Sequence, residues 1–156
     1  GSIFTEATLV GGGKHMSVIL NDGSMRSWGA GMTAAFGNGT NSSSGWNSYY
    51  NVHVTPKDVV VIPPGRKAVS AAAGSGHTCA ILDNGSISCW GEYRYGQLGD
   101  GSTPQNSQNC GVGVIAGCSS WDSVYVNLPA GRLAVSIAAG VEHTCAILDN
   151  ASIVCW

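Results

Sequence analysis

The chain repeats one fifteen-residue sequence three times. Residues 76–90 read GHTCAILDNGSISCW, and similar segments lie at 14–28 (KHMSVILNDGSMRSW) and at 142–156 (EHTCAILDNASIVCW). The segments begin 62 and then 66 residues apart, which is a period of the size found in repeat proteins. In such architectures each unit buries its faces against its neighbours, so we expect the three segments to form equivalent, stacked units.

Each segment predicts a β-hairpin. In the central one, the apolar runs at 79–82 and 86–90 flank an Asp-Asn-Gly turn. Short runs rich in Ile, Cys and Trp between turn residues are typical of paired strands. A three-residue loop at 83–85 fits the pairing, with Gly85 in the left-handed conformation. Ala151 replaces this glycine in the third segment, at an expected cost of about 1 kcal/mol.

Further strand-like runs flank the hairpins. Runs that contain several valines lie at 58–62 and 123–127, and Ala-rich runs lie at 68–72 and 134–138. Four short strands in each repeat are typical of a β-propeller blade, and small residues suit the crowded centre of a propeller. We predict an all-β fold of about two and a half four-stranded blades. It forms a single partial propeller domain over 1–156, with repeats near 3–65, 66–131 and 132–156, the last one incomplete.

The residues after the hairpin extend the repeat. The central unit continues Trp-Gly-Glu-Tyr-Arg and then Tyr-Gly-Gln-Leu-Gly-Asp-Gly up to residue 101. With the preceding Ala-Gly-x-x-His and Cys-Trp-Gly motifs, this segment resembles the repeats of the regulator of chromosome condensation family. The resemblance implies a propeller, usually seven-bladed. The version with paired cysteines resembles secreted bacterial and archaeal members.

A partial propeller of this length leaves strand edges and blade faces uncovered. We therefore expect either that the chain is a piece of a longer protein or that several copies complete one another. A self-assembling chain would present its uncovered edges as the assembly surface.

The six cysteines indicate an oxidising compartment. Two pairs stand at equivalent hairpin positions, where the first repeat has Ser17 and Ser27, so both members of a pair are present or both are absent. The disulfides Cys79–Cys89 and Cys145–Cys155 are therefore predicted. Cys110 and Cys118 bracket an insertion at 111–117, and a third disulfide between them is predicted to pin that loop. Disulfides of this kind imply a secreted or cell-surface protein; the alternative is that the cysteines are small buried thiols. Their spacing is not that of a zinc knuckle, and we expect no metal and no cofactor.

Charge and motifs narrow the class of function. Charged residues make up 10% of the chain and the net charge is −2, so no basic surface for nucleic acid is expected. No apolar run is long enough to insert into a membrane. No catalytic motif is present, so we expect no enzyme activity. His15, His77 and His143 are predicted to be structural, each bonded to the backbone of its own blade, and the repeated tryptophans are predicted to pack the blades together.

Candidate binding residues lie in the two long loops at 41–57 and 103–122, which differ from the repeats, and in a third patch around Arg94, since loops most often carry function. They are aromatic, cationic and imidazole side chains among Asn and Ser, a composition typical of binding surfaces: Trp46, Tyr49, Tyr50, His53, Tyr93, Arg94, Tyr95 and Trp121. The alternative is that these aromatic residues cover blade edges.

These observations favour a non-enzymatic, secreted or cell-surface module that binds a protein partner. Two alternatives are a structural building block of a large surface protein or self-assembling fibre, and a glycan-binding module. The nuclear exchange-factor role that the resemblance also suggests is disfavoured by the paired cysteines and the lack of basic character.

Overall fold

The computed structural model describes residues 7–30, 37, 52–92, 94–101 and 119–156. Within these residues the chain forms strands and no helix. The strands are β1 (Thr8–Gly11), β2 (His15–Ile19), β3 (Met25–Ala30), β4 (Val52–Val59), β5 (Ala68–Ala73), β6 (His77–Leu82), β7 (Ile87–Glu92), β8 (Ser119–Tyr125), β9 (Ala134–Ala139), β10 (Thr144–Leu148) and β11 (Ile153–Cys155).

The strands form three antiparallel sheets in chain order. The first blade is β1-β2-β3-β4, the second is β5-β6-β7-β8, and the third holds β9-β10-β11. This arrangement confirms the predicted all-β blades. The strand-like run predicted at 58–62 is placed differently: β4 ends at Val59 and pairs with β3 of the first blade. Each outer strand therefore belongs to the hairpin that precedes it in the chain.

The hairpin turns have the predicted three-residue loop. Cys79 lies opposite Cys89, and the Leu82 amide donates a hydrogen bond to the Ser86 carbonyl at 2.9 Å. The Asn84 side-chain oxygen accepts bonds from the Ser86 amide and hydroxyl at 3.1 and 2.7 Å. The same pair of bonds joins Asp22 to Ser24 and Asn150 to Ser152. An Asx residue two positions before a serine thus fixes each turn.

The third turn holds a strained alanine. Gly85 has a φ of 76°, and Ala151 adopts the same left-handed conformation with a φ of 64°. An L residue with a side chain is disfavoured there by about 1–2 kcal/mol, because its Cβ approaches the following carbonyl. The structure therefore bears out the expected strain at this turn.

Replacing Ala151 with glycine should raise the free energy of unfolding by about 0.5–1 kcal/mol. Relief of the left-handed strain outweighs the extra freedom that glycine has in the unfolded chain. Urea denaturation of the two proteins measures the difference. Gly85→Ala is the matched reverse change, and it should destabilise by more than 1 kcal/mol because the new Cβ would lie 2.7 Å from Leu133 Cβ. An unchanged or lowered stability in Ala151→Gly would contradict the strain.

The apolar core lies between the blades. One cluster joins the first and second blades through Ile19, Met25, Val60, Ala68, Ala80 and Trp90. A second cluster joins the second and third blades through Cys79, Ile81, Ile87, Cys89, Leu98, Ala134, Ala146 and Leu148. Each blade therefore presents one face to the preceding blade and the opposite face to the following one, as expected of stacked repeats.

Candidate interaction surfaces

The paired cysteines lie on the blade face that points towards the following blade. Cys79–Cys89 and Cys145–Cys155 are both disulfide-bonded, with Cα atoms 4.1 Å apart in each pair, which confirms these two predictions. In the first blade, the Ser17 and Ser27 hydroxyls occupy the same place and are hydrogen-bonded at 2.9 Å. The predicted Cys110–Cys118 pair lies outside the described residues.

The histidines join neighbouring blades. His15 Nε2 is 2.6 Å from Thr78 Oγ1 in the second blade, and His77 Nε2 is 2.9 Å from Thr144 Oγ1 in the third. For His15 and His77 the prediction of a backbone partner within the same blade was therefore wrong. The signal that could have shown this is the threonine that directly follows His77 and His143 and supplies a hydroxyl to the histidine of the preceding blade.

Burial holds these imidazoles neutral. His15 and His77 are buried, and desolvation lowers the pKa of each from 6.5 to about 4. For His77 the neighbouring imidazoles of His15 and His143 add a smaller lowering of the pKa. Gly74 makes room for the His77 ring, because a Cβ there would overlap the ring. A neutral imidazole can either donate to the threonine hydroxyl or accept from it.

Trp90 and Trp156 also join the blades, as predicted. Trp90 is fully buried and packs against Gly37, which follows β3 of the first blade. A Cβ on Gly37 would lie 2.5 Å from the Cδ1 atom of Trp90. Trp156 packs in the same way against Gly99, and its Nε1 donates a hydrogen bond to the Gln97 carbonyl at 2.8 Å. Each indole therefore sits against a glycine of the preceding unit, where any larger residue would collide with it.

Gln97 fixes an exposed turn to the third blade. Its side chain is buried, its Oε1 accepts a bond from the Tyr95 amide, and its Nε2 donates to Glu142 Oε2, each at 2.8 Å. The Gly99 amide closes the turn by donating to the Gly96 carbonyl at 3.0 Å. The backbone of residues 94–99 is thus fixed both by the Gln97 side chain and by the hydrogen bond between Gly99 and Gly96.

Among the predicted binding residues, Arg94 and Tyr95 are the two whose side chains the structure describes, and both lie on this turn. Arg94 is exposed, and Tyr95 is 63% exposed. Tyr93, Trp46, Tyr49 and Tyr50 lie outside the described residues, as do the side chains of His53 and Trp121. The backbone places His53 in β4 opposite Gly29 and Trp121 in β8.

Topology relates these candidates to one another. The chain leaves β3 at Ala30 and β7 at Glu92, which are equivalent ends of two blades. It returns at the first residues of β4 and β8, which pair with those ends. The two connections, which contain the predicted binding residues other than His53 and Trp121, therefore start and finish at the same end of their blades. In the part of the chain that the structure describes, no cluster of three metal-ligating side chains occurs, and no helix could cross a membrane.

Repeated four-stranded antiparallel blades, packed face to face through their apolar clusters, define a β-propeller repeat protein. Two family models, both described as the regulator of chromosome condensation (RCC1) repeat, match residues 22–81 and 68–97. The chain belongs to the RCC1-like repeat family.

Sequence relatives match small parts of much larger proteins. The X-linked retinitis pigmentosa GTPase regulator homolog of Caenorhabditis elegans is 32% identical over 85 residues, covering 54% of this chain and 5% of the relative. The E3 ubiquitin-protein ligase HERC2 of Homo sapiens is 25% identical over 185 aligned positions, covering 93% of this chain and 4% of the relative. The chain therefore spans about a twentieth of the length of these relatives.

Solved structures share the fold. Yeast RCC1 (Prp20), solved bound to Kap60, superposes with a TM-score of 0.69 at 19% identity, covering 96% of this chain and 31% of that one. Human WBSCR16 superposes with a TM-score of 0.71 at 14% identity, covering 99% and 36% of the two chains. The chain thus corresponds to about a third of each of these propellers.

Proposed function

We propose that the chain is a non-enzymatic protein-interaction module that contacts its partner through the blade end carrying Arg94 and Tyr95. RCC1-type propellers among the structural relatives support an interaction role. One of them, Prp20p of Saccharomyces cerevisiae, is described by its binding to Gsp1p and histones. That likeness shows a shared fold alone, and it does not assign those partners to this chain.

The observation that most directly supports this interaction surface is the fixed turn at 94–99. Its backbone is held by the buried Gln97, while the Tyr95 ring and the Arg94 guanidinium project from it into solvent. Tyrosine and arginine are enriched among the residues that contribute most to protein–protein binding. A turn already fixed in shape loses little conformational entropy on binding, which favours affinity.

The disulfides support a secreted or cell-surface setting for this module. Cys79–Cys89 and Cys145–Cys155 are bonded, and such bonds persist mainly in oxidising compartments. The alternative function is a structural building block of a larger surface assembly. The observation that favours it is the exposed apolar face of the third blade, where Ile147 and Ile153 are 42% and 66% exposed.

Alanine substitution of Tyr95 tests the interaction role. The native chain, Tyr95→Ala and Tyr125→Ala are immobilised and exposed to the extracellular fraction of the source cells, and the captured proteins are compared quantitatively. Tyr125 is the matched control, because it is 50% exposed and lies at the opposite end of β8 from the proposed surface. Each captured protein is then purified, and its Kd for the three variants is measured.

Tyr95→Ala should weaken the binding of a partner about tenfold or more, as loss of a central aromatic anchor does. Tyr125→Ala should leave the Kd unchanged. If all three variants bind every captured protein equally, or if both tyrosine variants lose affinity to the same extent, the proposed surface is wrong.

A further inference from the structure

The hairpin turns of the second and third blades share a motif that the proposed interaction surface does not use. Residues 84–86 read Asn-Gly-Ser and residues 150–152 read Asn-Ala-Ser, so each turn has the form Asn-x-Ser without proline in the middle. This sequence is the acceptor motif for N-linked glycosylation. The equivalent turn of the first blade has Asp22 in place of the asparagine and therefore lacks the motif.

Asn84 is exposed even though the following blade packs against its turn. The neighbouring Gly85 lies so close to that blade that an added Cβ would be 2.7 Å from Leu133 Cβ. Asn84 is nevertheless exposed, and so is the equivalent Asn150. Exposure of this turn position therefore does not depend on whether a further blade follows.

The hydrogen bonds of the turn leave the acceptor nitrogen of the asparagine unused. Asn84 Oδ1 accepts bonds from the amide and the hydroxyl of Ser86, and Asn150 Oδ1 accepts the same two bonds from Ser152. All four bonds use the side-chain oxygen. Among the residues that the structure describes, the Nδ2 atoms of Asn84 and Asn150 make no hydrogen bond.

The turn itself does not require an amide at this position. Asp22 forms the same pair of bonds with the amide and the hydroxyl of Ser24, at 2.9 and 2.6 Å. A carboxylate oxygen therefore fixes the turn as an amide oxygen does. The amide nitrogen of Asn84 and of Asn150 is the one group in these side chains that the turn leaves without a structural role.

We propose that Asn84 and Asn150 are sites of N-linked glycosylation. The proposal rests on the secreted or cell-surface setting of the proposed function, in which this motif is used. The sugar donor is an oligosaccharide joined to a lipid through a diphosphate. The Asn Nδ2 atom forms a bond to C1 of the first sugar while the bond from C1 to the diphosphate oxygen breaks. The diphosphate leaves with the electron pair of that bond, and the nitrogen loses one proton to a base.

The glycans lie at the blade end opposite Arg94 and Tyr95. Strand β7 begins beside the Asn84 turn at Ile87 and ends at Glu92, two residues before Arg94. Six residues of extended strand separate the two ends by about 20 Å. Because a glycan is bulky and solubilising, it excludes partners from the end that carries the hairpin turns. The end that carries Arg94 and Tyr95 stays accessible.

Glycopeptide mass spectrometry of the chain from its source cells tests the proposal. The chain is recovered separately from the extracellular fraction and from the cell lysate, and any sugar is mapped to its residue. Asn84→Asp removes the acceptor nitrogen but keeps the turn bonds, as Asp22 shows. Ser86→Ala keeps the asparagine and removes the motif. Asp22→Asn creates the motif Asn-Gly-Ser in the first blade, at a turn position that is also exposed.

The extracellular chain should carry one glycan on Asn84 and one on Asn150. Asn84→Asp and Ser86→Ala should each lose the first of these and keep the second, whereas Asp22→Asn should gain a glycan on the first blade. Circular dichroism checks that the variants are folded.

Two results would overturn the proposal, and they differ in what they say about the setting. An extracellular chain with both asparagines bare, or merely deamidated, would refute glycosylation and leave the secreted setting intact. A chain found only in the lysate and free of sugar would refute both. Neither result affects the Kd measurements with Tyr95→Ala, which test the interaction surface separately.

Discussion

Trp90→Ala should lower the free energy of unfolding by about 3–5 kcal/mol, the usual cost of removing a fully buried indole. Trp90 is 0% exposed and belongs to the apolar cluster that joins the first and second blades. Gly37 approaches the ring so closely that the vacated space is bounded by backbone. On the Gly37 side, rotation of a side chain cannot fill that space. Urea denaturation followed by far-UV circular dichroism measures the loss.

Trp156→Ala is the matched control for this effect. Trp156 occupies the same repeat position and packs against Gly99 in the same way, but its side chain is only partly buried. It should cost about half as much, since the loss follows the apolar area removed from the interior. Equal losses for the two tryptophans would show that the contact with the preceding unit, and not burial by the blades, determines their contribution.

The fold could be predicted because the repeat is internal to one chain. The cysteines at 79 and 89 and the serines at 17 and 27 replace one another as pairs, and that substitution fixes the hairpin register. The left-handed turn at Ala151 followed from the same comparison. The strand-like run at 58–62 was placed less well, because periodicity shows that a strand exists but not which neighbour it pairs with.

The contacts between blades could be predicted only in part. That the tryptophans pack the blades together was clear from their size and recurrence, and the structure confirms it for Trp90 and Trp156. The partner of each histidine was missed, because hydrogen bonds such as His77 to Thr144 join residues 67 positions apart. Gln97 was also missed as a fixing residue, because the first repeat has Ala35 at its position and the pattern showed no polar residue there.

Acidification should unfold the chain through the histidines that join the blades. Burial lowers the pKa of His15 and His77 from 6.5 to about 4, so the folded state holds them neutral while the unfolded chain binds protons below pH 6.5. Their contribution to stability is therefore complete above pH 6.5 and is lost as the pH falls from 6.5 through 4. Each histidine should account for about 3 kcal/mol over this range.

The variant His77→Gln separates this effect from the titration of carboxylates, which are the same in both proteins. Urea denaturation at intervals between pH 7.5 and 4 gives the dependence of the unfolding free energy on pH. Between pH 6 and 4.5 the native chain should lose up to about 1.4 kcal/mol per pH unit more than His77→Gln does. At pH 7.5 the variant will be less stable, because glutamine does not restore the imidazole contact with Thr144. Parallel pH profiles for the two proteins would mean that His77 binds protons equally well in the folded and unfolded states, and that its burial between the blades carries no penalty for charge.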